Sequence, residues 1–463
     1  MSDGMMHEPI ELQKVAALHC EGIDNSEIAN MLSLARADVQ RMIERSEQLG
    51  YFDYRPQLNV ASLSAEASEF IYNGTLTTAL CSALADRPEL SFISVDVTPS
   101  PGVMFARFCM KAAEGTREYA EYRAAESISL QAVAGRAAER VVKAIFDGRQ
   151  HTIGVNWGLS VKKVIEKIHL PATQNTIGDM RVISLFGDME FYPQDPAAQS
   201  IGSEYVNCNA HVCELASRLA PYGHAVPLNA PCFVPAEFAR NQATFNAIRE
   251  FLGSHSSYRR IFGELPGDDP IRPRKFNGII DFSSDVQITQ MDTIITGVGS
   301  ADAYTQMSAF LKFWLDAGEL KTLRDYCAQH LVVGDLGCHL IPSVEADEND
   351  QLKRFLRQIN RRILGAQPSD FVDVASRQRK TRSGAGVVAV AIGARKAKII
   401  ARLLTLCNSP CPLSVLVIDS HCALALFKEL NAREYQSFIN GPGKRFLTNV
   451  DEWSADTRAI LLP

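Results

Sequence analysis

This 463-residue chain lacks several features that would assign a protein class directly. No apolar run reaches the roughly 18 residues that a membrane-crossing helix needs. The N-terminal stretch MSDGMMHEPIELQK lacks the basic and then apolar pattern of a secretory signal, so we expect a cytoplasmic protein with no membrane partner. The 11 cysteines form no CxxC pair, and none of the closer sets has a second pair at zinc-site spacing. We therefore expect reduced thiols and no bound metal.

Common catalytic motifs are missing as well. The sequence contains no GxGxxG, GxxxxGK(S/T), HExxH or GxSxG. His421 follows Asp419 at the end of an apolar strand pattern and is a candidate general base. A histidine that caps a helix or faces solvent is the favoured interpretation, and Asp419 is a candidate helix N-cap. We predict neither catalytic residues nor a cofactor.

Positive charge is scarce near the N-terminus. The whole chain has a net charge of −6, which argues against a nonspecific polyanion binder. Residues 1–60 carry five Lys and Arg against ten Asp and Glu, whereas DNA-binding modules are usually basic. DNA binding by this segment would therefore depend on avidity from an oligomer. The basic run RQRKTR (377–382) is interpreted as a solvated loop rather than a nucleic-acid patch.

The N-terminus does contain a pattern of three short amphipathic helices. They are expected at about 10–22, 24–33 and 35–49, and the alternating pattern of 51–60 follows as a small wing. Three short helices with a tight second turn are typical of a helix-turn-helix. A helical dimerisation or docking segment is the alternative.

The third of these helices carries the residues expected to contact DNA. The spacing places its arginines on one face with Asp38 and places the apolar residues between 39 and 43 on the other. Ala35 at the N-cap forfeits roughly 1 kcal/mol of capping. Asp38 in the first turn favours the helix dipole and can pair with Arg41. Because Gln can read adenine and Arg can read guanine, the predicted DNA-contacting residues are Arg36, Gln40, Arg41 and Arg45.

From about residue 76 the pattern changes to apolar strands that alternate with helices. Strands are expected in the segments SFISVDVT, HTIGVNWGLS, MRVISLFG, MDTIITGVG, GVVAVAIG and SVLVIDS. This alternation predicts an α/β fold with a doubly wound, mostly parallel, Rossmann-like sheet after the helix-turn-helix. The predicted domains are 1–60 and 76–463, with a linker at 61–75 and surface insertions near 100–125 and 254–290.

Three glycine-bearing turns follow predicted strands. GVNWGLS (154–160) places backbone N–H groups and Ser160 at a helix start, where an anion binds well. GVGS (297–300) is the second turn, and AIGARKAK (391–398) is the third, with Lys396 in it. Parallel sheets bind ligands at the carboxyl ends of their strands, so the set predicts a small anionic ligand such as a phosphorylated sugar.

In their order along the chain, these motifs resemble the SorC family of bacterial sugar-responsive transcription regulators. VAALHCEGIDNSEIANMLSLARADVQRMIERSEQLG resembles the family's helix-turn-helix, and HTIGVNWGLSVKKVIEKI its Ile-Gly-x-x-Trp-Gly-x-Thr turn. NAHVCELASRLAPYGHAVPLNAPCFVPAEF, IITGVGS, LVVGDLGCHLI, VVAVAIGARKAKIIARLL and VLVIDSHCALAL follow in the family's order. The likeness covers about 10–60 and 76–430.

The resemblance implies a homo-oligomer, a dimer or tetramer, with operator DNA and a sugar or sugar-phosphate effector as partners. It also implies an effector domain similar to the folds of glucosamine-phosphate deaminase and ribose-phosphate isomerase. Carried over by position, the effector-contacting residues are Gly158, Ser160, Gly187, Gly299 and Lys396.

The sequence departs from the family pattern near the expected ligand. Ser160 stands where Thr is usual, and LFGD (185–188) stands where a Gly-Gly pair is usual. Asp188 would repel a phosphate. An uncharged sugar therefore remains an option beside a sugar phosphate.

Together these features predict a DNA-binding transcription regulator, not an enzyme, whose C-terminal domain binds the effector that modulates operator binding. A scaffold or partner-binding protein that kept the fold and lost its ligand or DNA is the first alternative, favoured by the acidic N-terminal module. A phosphosugar isomerase or deaminase is the second alternative. That chemistry needs a carboxylate and a base that converge near Lys396.

Overall fold

The chain is described from a computed structural model. The residues described are 9–20, 24–49, 74–85, 87, 90–98, 117–147, 151–170, 178–187, 207–263, 287–301, 311, 314–382, 384–405 and 410–441.

Three short helices come first, as predicted: α1 (Pro9–Cys20), α2 (Asn25–Leu32) and α3 (Arg36–Gln48). Asp24 caps α2 by accepting hydrogen bonds from two backbone N–H groups of its first turn. Ser33, in the left-handed conformation with φ 56°, ends α2 and begins the tight turn to α3. The helix-turn-helix is therefore present. The wing predicted at 51–60 lies outside the described residues.

Nine described strands build one sheet: β1 (Ser94–Thr98), β2 (His151–Val155), β3 (Met180–Ser184), β4 (Gly223–Val226), β5 (Thr293–Ser300), β6 (Val332–Leu336), β7 (His339–Pro342), β8 (Gly386–Ala391) and β9 (Val415–Asp419). Seven of them run parallel in the order β1-β9-β8-β5-β2-β3-β4. The six strands predicted from sequence are confirmed as β1, β2, β3, β5, β8 and β9.

The helices after the first three are α4 (Gly74–Ala85), α5 (Arg117–Asp147), α6 (Leu159–Lys167), α7 (Cys208–Arg218), α8 (Ala236–Ala239), α9 (Gln242–Ser254), α10 (Ser256–Phe262), α11 (Ala317–Ala328), α12 (Asp350–Asn360), α13 (Pro368–Thr381), α14 (Ala397–Leu404), α15 (Ser420–Leu430) and α16 (Ala432–Asn440). No helix in these stretches has the length and apolar character to cross a membrane.

Both faces of the sheet are covered by helices. Successive side chains of a strand point to opposite sides of the sheet, so apolar strands present an apolar surface on each face. In β8, Val387 and Ala389 belong to one apolar core, while Val388 and Val390 belong to the other. Helices α5, α6 and α7 pack on the second of these faces, and α4, α13, α14 and α15 on the first. The predicted doubly wound α/β fold is therefore confirmed.

An antiparallel hairpin, which the sequence patterns did not predict, extends the end of β5. Strand β6 pairs antiparallel with the last residues of β5, and β7 pairs antiparallel with β6. The hairpin turns through Gly337 and Cys338, which both have positive φ, at 53° and 64°. Strand β4, at the far edge of the sheet, was also not predicted from the sequence.

Several predicted connections contain regular structure. Helix α5 begins at Arg117, so the last residues of the insertion predicted at 100–125 are helical, and α4 begins at Gly74 within the linker predicted at 61–75. The basic run at 377–382 is not a solvated loop. Most of it forms the last turn of α13, where Arg377 donates hydrogen bonds to the Ile288 and Met291 carbonyls at 3.1 and 3.0 Å. These backbone carbonyls hold the Arg377 guanidinium against the protein.

Candidate effector and DNA-binding sites

The glycine turns predicted to bind an effector lie on neighbouring strands. Strand β5 pairs in parallel with β2 on one side and with β8 on the other. Gly158 after β2, Gly299 near the end of β5 and Gly393 after β8 therefore lie along one carboxyl edge of the sheet. Gly187 follows β3, the next strand along this edge.

The turn after β2 is held by Asn156. Its Oδ1 accepts a hydrogen bond from the Trp157 backbone N–H at 2.8 Å, and its Nδ2 donates to Thr296 Oγ1 of β5 at 2.8 Å. Gly158 then adopts φ 114°, a conformation that favours glycine, and Ser160 lies in the first turn of α6. The first N–H groups of α6 precede its hydrogen-bonded ladder, so they are available to an acceptor at this edge.

Gly187 has a packing role. A Cβ added there would lie 2.6 Å from the Ala230 carbonyl carbon and would overlap its oxygen. The segment after β3 and the segment around Ala230 therefore approach each other as backbone against backbone, and only glycine fits between them.

The β6–β7 hairpin contributes Asp335, a residue that the sequence reasoning missed. Asp335 pairs with Gly299 of β5, and its side chain packs on that glycine, where an added Cβ would lie 2.7 Å from Asp335 Cγ. Burial raises the pKa of Asp335 to about 6, although the nearby Lys396 ammonium acts to lower it. The signal for this residue was an acid inside the apolar pattern LVVGDLGCHLI.

The tip of the hairpin contacts the turn after β2. The Trp157 indole N–H donates a hydrogen bond to Cys338 Sγ at 2.8 Å, and both side chains are buried. Burial also raises the pKa of the Cys338 thiol well above its usual value, so the thiol stays protonated. This contact holds the tip of the hairpin against the turn that precedes α6.

Lys396 ends the short 3-10 helix that follows Gly393 and is half-buried. Asp419, at the end of β9, caps α15 as predicted: its Oδ1 accepts hydrogen bonds from the Cys422 and Gly393 N–H groups, each at 2.9 Å. His421 neither caps a helix nor faces solvent. It is buried in α15, and burial lowers its pKa to about 4, so it is neutral at neutral pH.

The described residues offer no group of three His, Cys, Asp or Glu side chains that could hold a metal ion. The carboxyl edge instead gathers backbone N–H groups, the Lys396 ammonium and the Asp335 and Asp419 carboxyls. This set suits hydrogen bonding to a small polar molecule.

The predicted DNA-contacting residues lie on the outer surface of α3. Arg36, Gln40, Arg41 and Arg45 are all exposed. On the opposite face of the helix, Val39, Met42 and Ile43 are buried against α1 and α2. The helix therefore presents its arginines outward on a packed module, which is the geometry that groove binding requires.

Local hydrogen bonds already engage part of this surface. Arg41 pairs with Asp38, as the i,i+3 spacing predicted, and Ala35 provides no side-chain cap. Gln40 accepts a hydrogen bond from Asn25 Nδ2 at 2.7 Å and donates one to Glu44 at 3.0 Å. DNA would have to compete with these bonds for Arg41 and Gln40.

No family model matches the chain, and no curated protein matches it. Among solved structures, it is similar to the full-length sorbitol operon regulator SorC from Klebsiella pneumoniae, with 16% identity over 91% of this chain and 100% of that chain and a TM-score of 0.44. It is also similar to a DeoR family transcriptional regulator from Listeria monocytogenes, with 18% identity over 65% and 88% of the two chains and a TM-score of 0.42. A domain of a possible sugar-binding transcriptional regulator from Arthrobacter aurescens TC1 has 17% identity over 77% and 98%, with a TM-score of 0.44. All three of these structures are described as transcriptional regulators or as a domain of one.

Proposed function

We propose that this chain is a transcription regulator. It binds operator DNA through α3 and a small sugar-like effector at the carboxyl edge of β2, β5 and β8. The observation that carries the proposal is the long helix α5, because it contacts both regions. The part of α5 that follows Val133 packs against α6, whose first turn follows Gly158, and Ile128 of α5 packs against the core of α1, α2 and α3.

This arrangement supports coupling between the two sites. An effector that contacts the first turn of α6 acts on an element packed along α5, and α5 runs as one helix of 31 residues to the helix-turn-helix. Binding at the edge can then favour one placement of α3 over another, which is the differential interaction that allosteric control requires.

The charge of α3 supports assembly into a homo-oligomer. The helix carries three arginines and three acidic residues, so its electrostatic attraction to DNA is weak. Two or more linked copies of the module multiply a weak affinity through their effective concentration. We therefore propose a dimer or tetramer as the DNA-binding form.

An enzyme is the second candidate, because one observation favours it. A phosphosugar isomerase or deaminase needs a carboxylate near Lys396, and Asp335 meets that need. Turnover of a phosphosugar by the purified chain, abolished by Asp335→Asn, would support it. The regulator proposal predicts no turnover.

The DNA-binding proposal is tested by removing one charge from α3. Asp38→Asn should release Arg41 for a phosphate, tighten binding severalfold and steepen the salt dependence by about one unit of log–log slope. The measurement is fluorescence anisotropy with DNA from the promoter region of the chain's own gene, at about 50 to 200 mM salt.

Glu47→Gln is the matched control, since it removes the same charge at the other edge of the exposed face of α3, near His19. It should change the slope less than Asp38→Asn does. Equal effects of the two variants would mean that α3 does not meet DNA. Absence of binding by the unaltered chain at low salt would overturn the regulator proposal itself.

A further inference from the structure

Two of the three glycine turns at the carboxyl edge are occupied by carboxyl groups of the protein itself. At the end of β8, the Gly393 N–H donates to Asp419 Oδ1 at 2.9 Å, so the start of this turn already holds a carboxyl group. At the end of β5, the surface of Gly299 is covered by the Asp335 side chain. Sites of this kind suit a phosphate only while their N–H groups and surfaces are open.

The edge also carries charge of both signs, since Arg395 and Lys396 follow Gly393 and the Asp335 carboxyl lies near Lys396. Lys396 is the cation that acts on Asp335, and the charges of Lys396 and Asp419 both act on Cys422. The Lys396 ammonium is therefore balanced in part by the Asp335 carboxyl. The next cations along α14 are directed elsewhere, since Arg402 pairs with Asp347, and Lys398 acts on Glu345.

A phosphate monoester would bring a further charge of about −1.5 to −2 at neutral pH. Placed at the carboxyl edge beside Gly299 and Lys396, it would approach the Asp335 carboxyl. Burial weakens the screening of such like charges, so the repulsion would be larger than at an open surface.

The same groups are well matched to hydroxyls. A carboxylate accepts hydrogen bonds from sugar hydroxyls, and an ammonium donates to their oxygens. Asp335 is 7% exposed, and the hydrogen bond described for its carboxyl comes from the Cys338 backbone, so it retains acceptor capacity at the edge. We infer that the effector of this chain is a small uncharged polyhydroxy compound, an unphosphorylated sugar or polyol, with Asp335 as its principal hydroxyl acceptor. This inference rests on the effector site proposed above.

The test compares matched probes on the purified full chain. D-glucose, D-fructose and D-glucitol are each titrated beside their 6-phosphates and beside inorganic phosphate, with thermal unfolding and calorimetry as measurements. We expect at least one unphosphorylated probe to bind at least tenfold more tightly than its 6-phosphate, and inorganic phosphate to have no effect on the melting temperature.

Asp335→Asn should weaken binding of the unphosphorylated probe by about tenfold or more, because a hydrogen bond to a charged acceptor is lost. The difference in affinity between this probe and its 6-phosphate should become smaller. Asp325→Asn, at an exposed position of α11, is the matched control and should leave both affinities unchanged. If a 6-phosphate binds as tightly as its parent or more tightly, this inference is overturned while the effector site stands. If neither series binds, the effector site and the inference fail together.

Discussion

Gly187→Ala is expected to lower the free energy of unfolding by about 3 kcal/mol, the upper part of the usual range for overpacking. The added methyl group would overlap the Ala230 carbonyl oxygen, and its centre would lie 2.6 Å from the carbonyl carbon. Because both partners are backbone, neither can rotate away as the end of a side chain can. Chemical denaturation measures the effect as a lower midpoint at unchanged slope.

Gly297→Ala provides the control for this prediction. Gly297 lies in β5 near the same edge of the sheet, but an added Cβ would meet no atom within 4 Å. The control should stay within about 0.5 kcal/mol of the unaltered chain. Similar midpoints for the two variants would contradict the close backbone approach at Gly187.

Asp335→Asn is expected to change the pH dependence of stability by about 3 kcal/mol. Burial raises the native pKa of Asp335 from 3.8 to about 6, so the folded state favours the neutral acid. The contribution of this group is therefore fully present below about pH 4 and is lost as the pH rises through 6. Asparagine does not titrate. The variant should gain about 2.5 kcal/mol relative to the unaltered chain between pH 4 and pH 7, which is most of the full effect at 1.36 kcal/mol for each pKa unit.

His421→Gln should give a slope of the opposite sign. Burial lowers the native pKa of His421 from 6.5 to about 4, so the folded state favours the neutral ring. Its contribution is present above pH 6.5 and is lost as the pH falls through 4. In the unaltered chain, the contributions of Asp335 and His421 to the pH dependence of stability therefore offset each other. Denaturation midpoints measured from pH 4 to pH 7 should change more with pH in either variant than in the unaltered chain. A difference curve for Asp335→Asn that is flat with pH would show that the carboxyl is solvated.

Local patterns made the helix-turn-helix and most of the parallel sheet predictable from sequence. The pairing of Asp38 with Arg41 and the missing cap at Ala35 depend only on spacing within one helix, and both are confirmed. The six predicted strands are apolar runs bounded by turns, a pattern that buried parallel strands impose on their sequence. Structure of this kind is encoded by neighbours along the chain.

The arrangement of the candidate site was harder to predict from the sequence. The sequence indicated glycine turns at several strand ends, and the order of the strands brings them to one edge. The contact of Asp335 with Gly299 depends on an antiparallel hairpin of two short strands within a mostly parallel sheet. No hydrophobic periodicity in the sequence predicted this hairpin. His421 was misjudged for the same reason, since its burial is set by packing of α15 on distant helices rather than by its neighbours in sequence.

The pairing of β1 with β9 has a consequence for synthesis of the chain. Across this pair, the Thr98 hydroxyl donates a hydrogen bond to the carbonyl of Ile418, which is 320 residues away. At a translation rate of about 5 to 20 residues per second, β1 leaves the ribosome roughly 15 to 60 seconds before the strand that it pairs with. An unpaired strand edge invites association with other chains during that interval. Nascent chains that stop before β9 should therefore be the aggregating species, and full-length chains the soluble one.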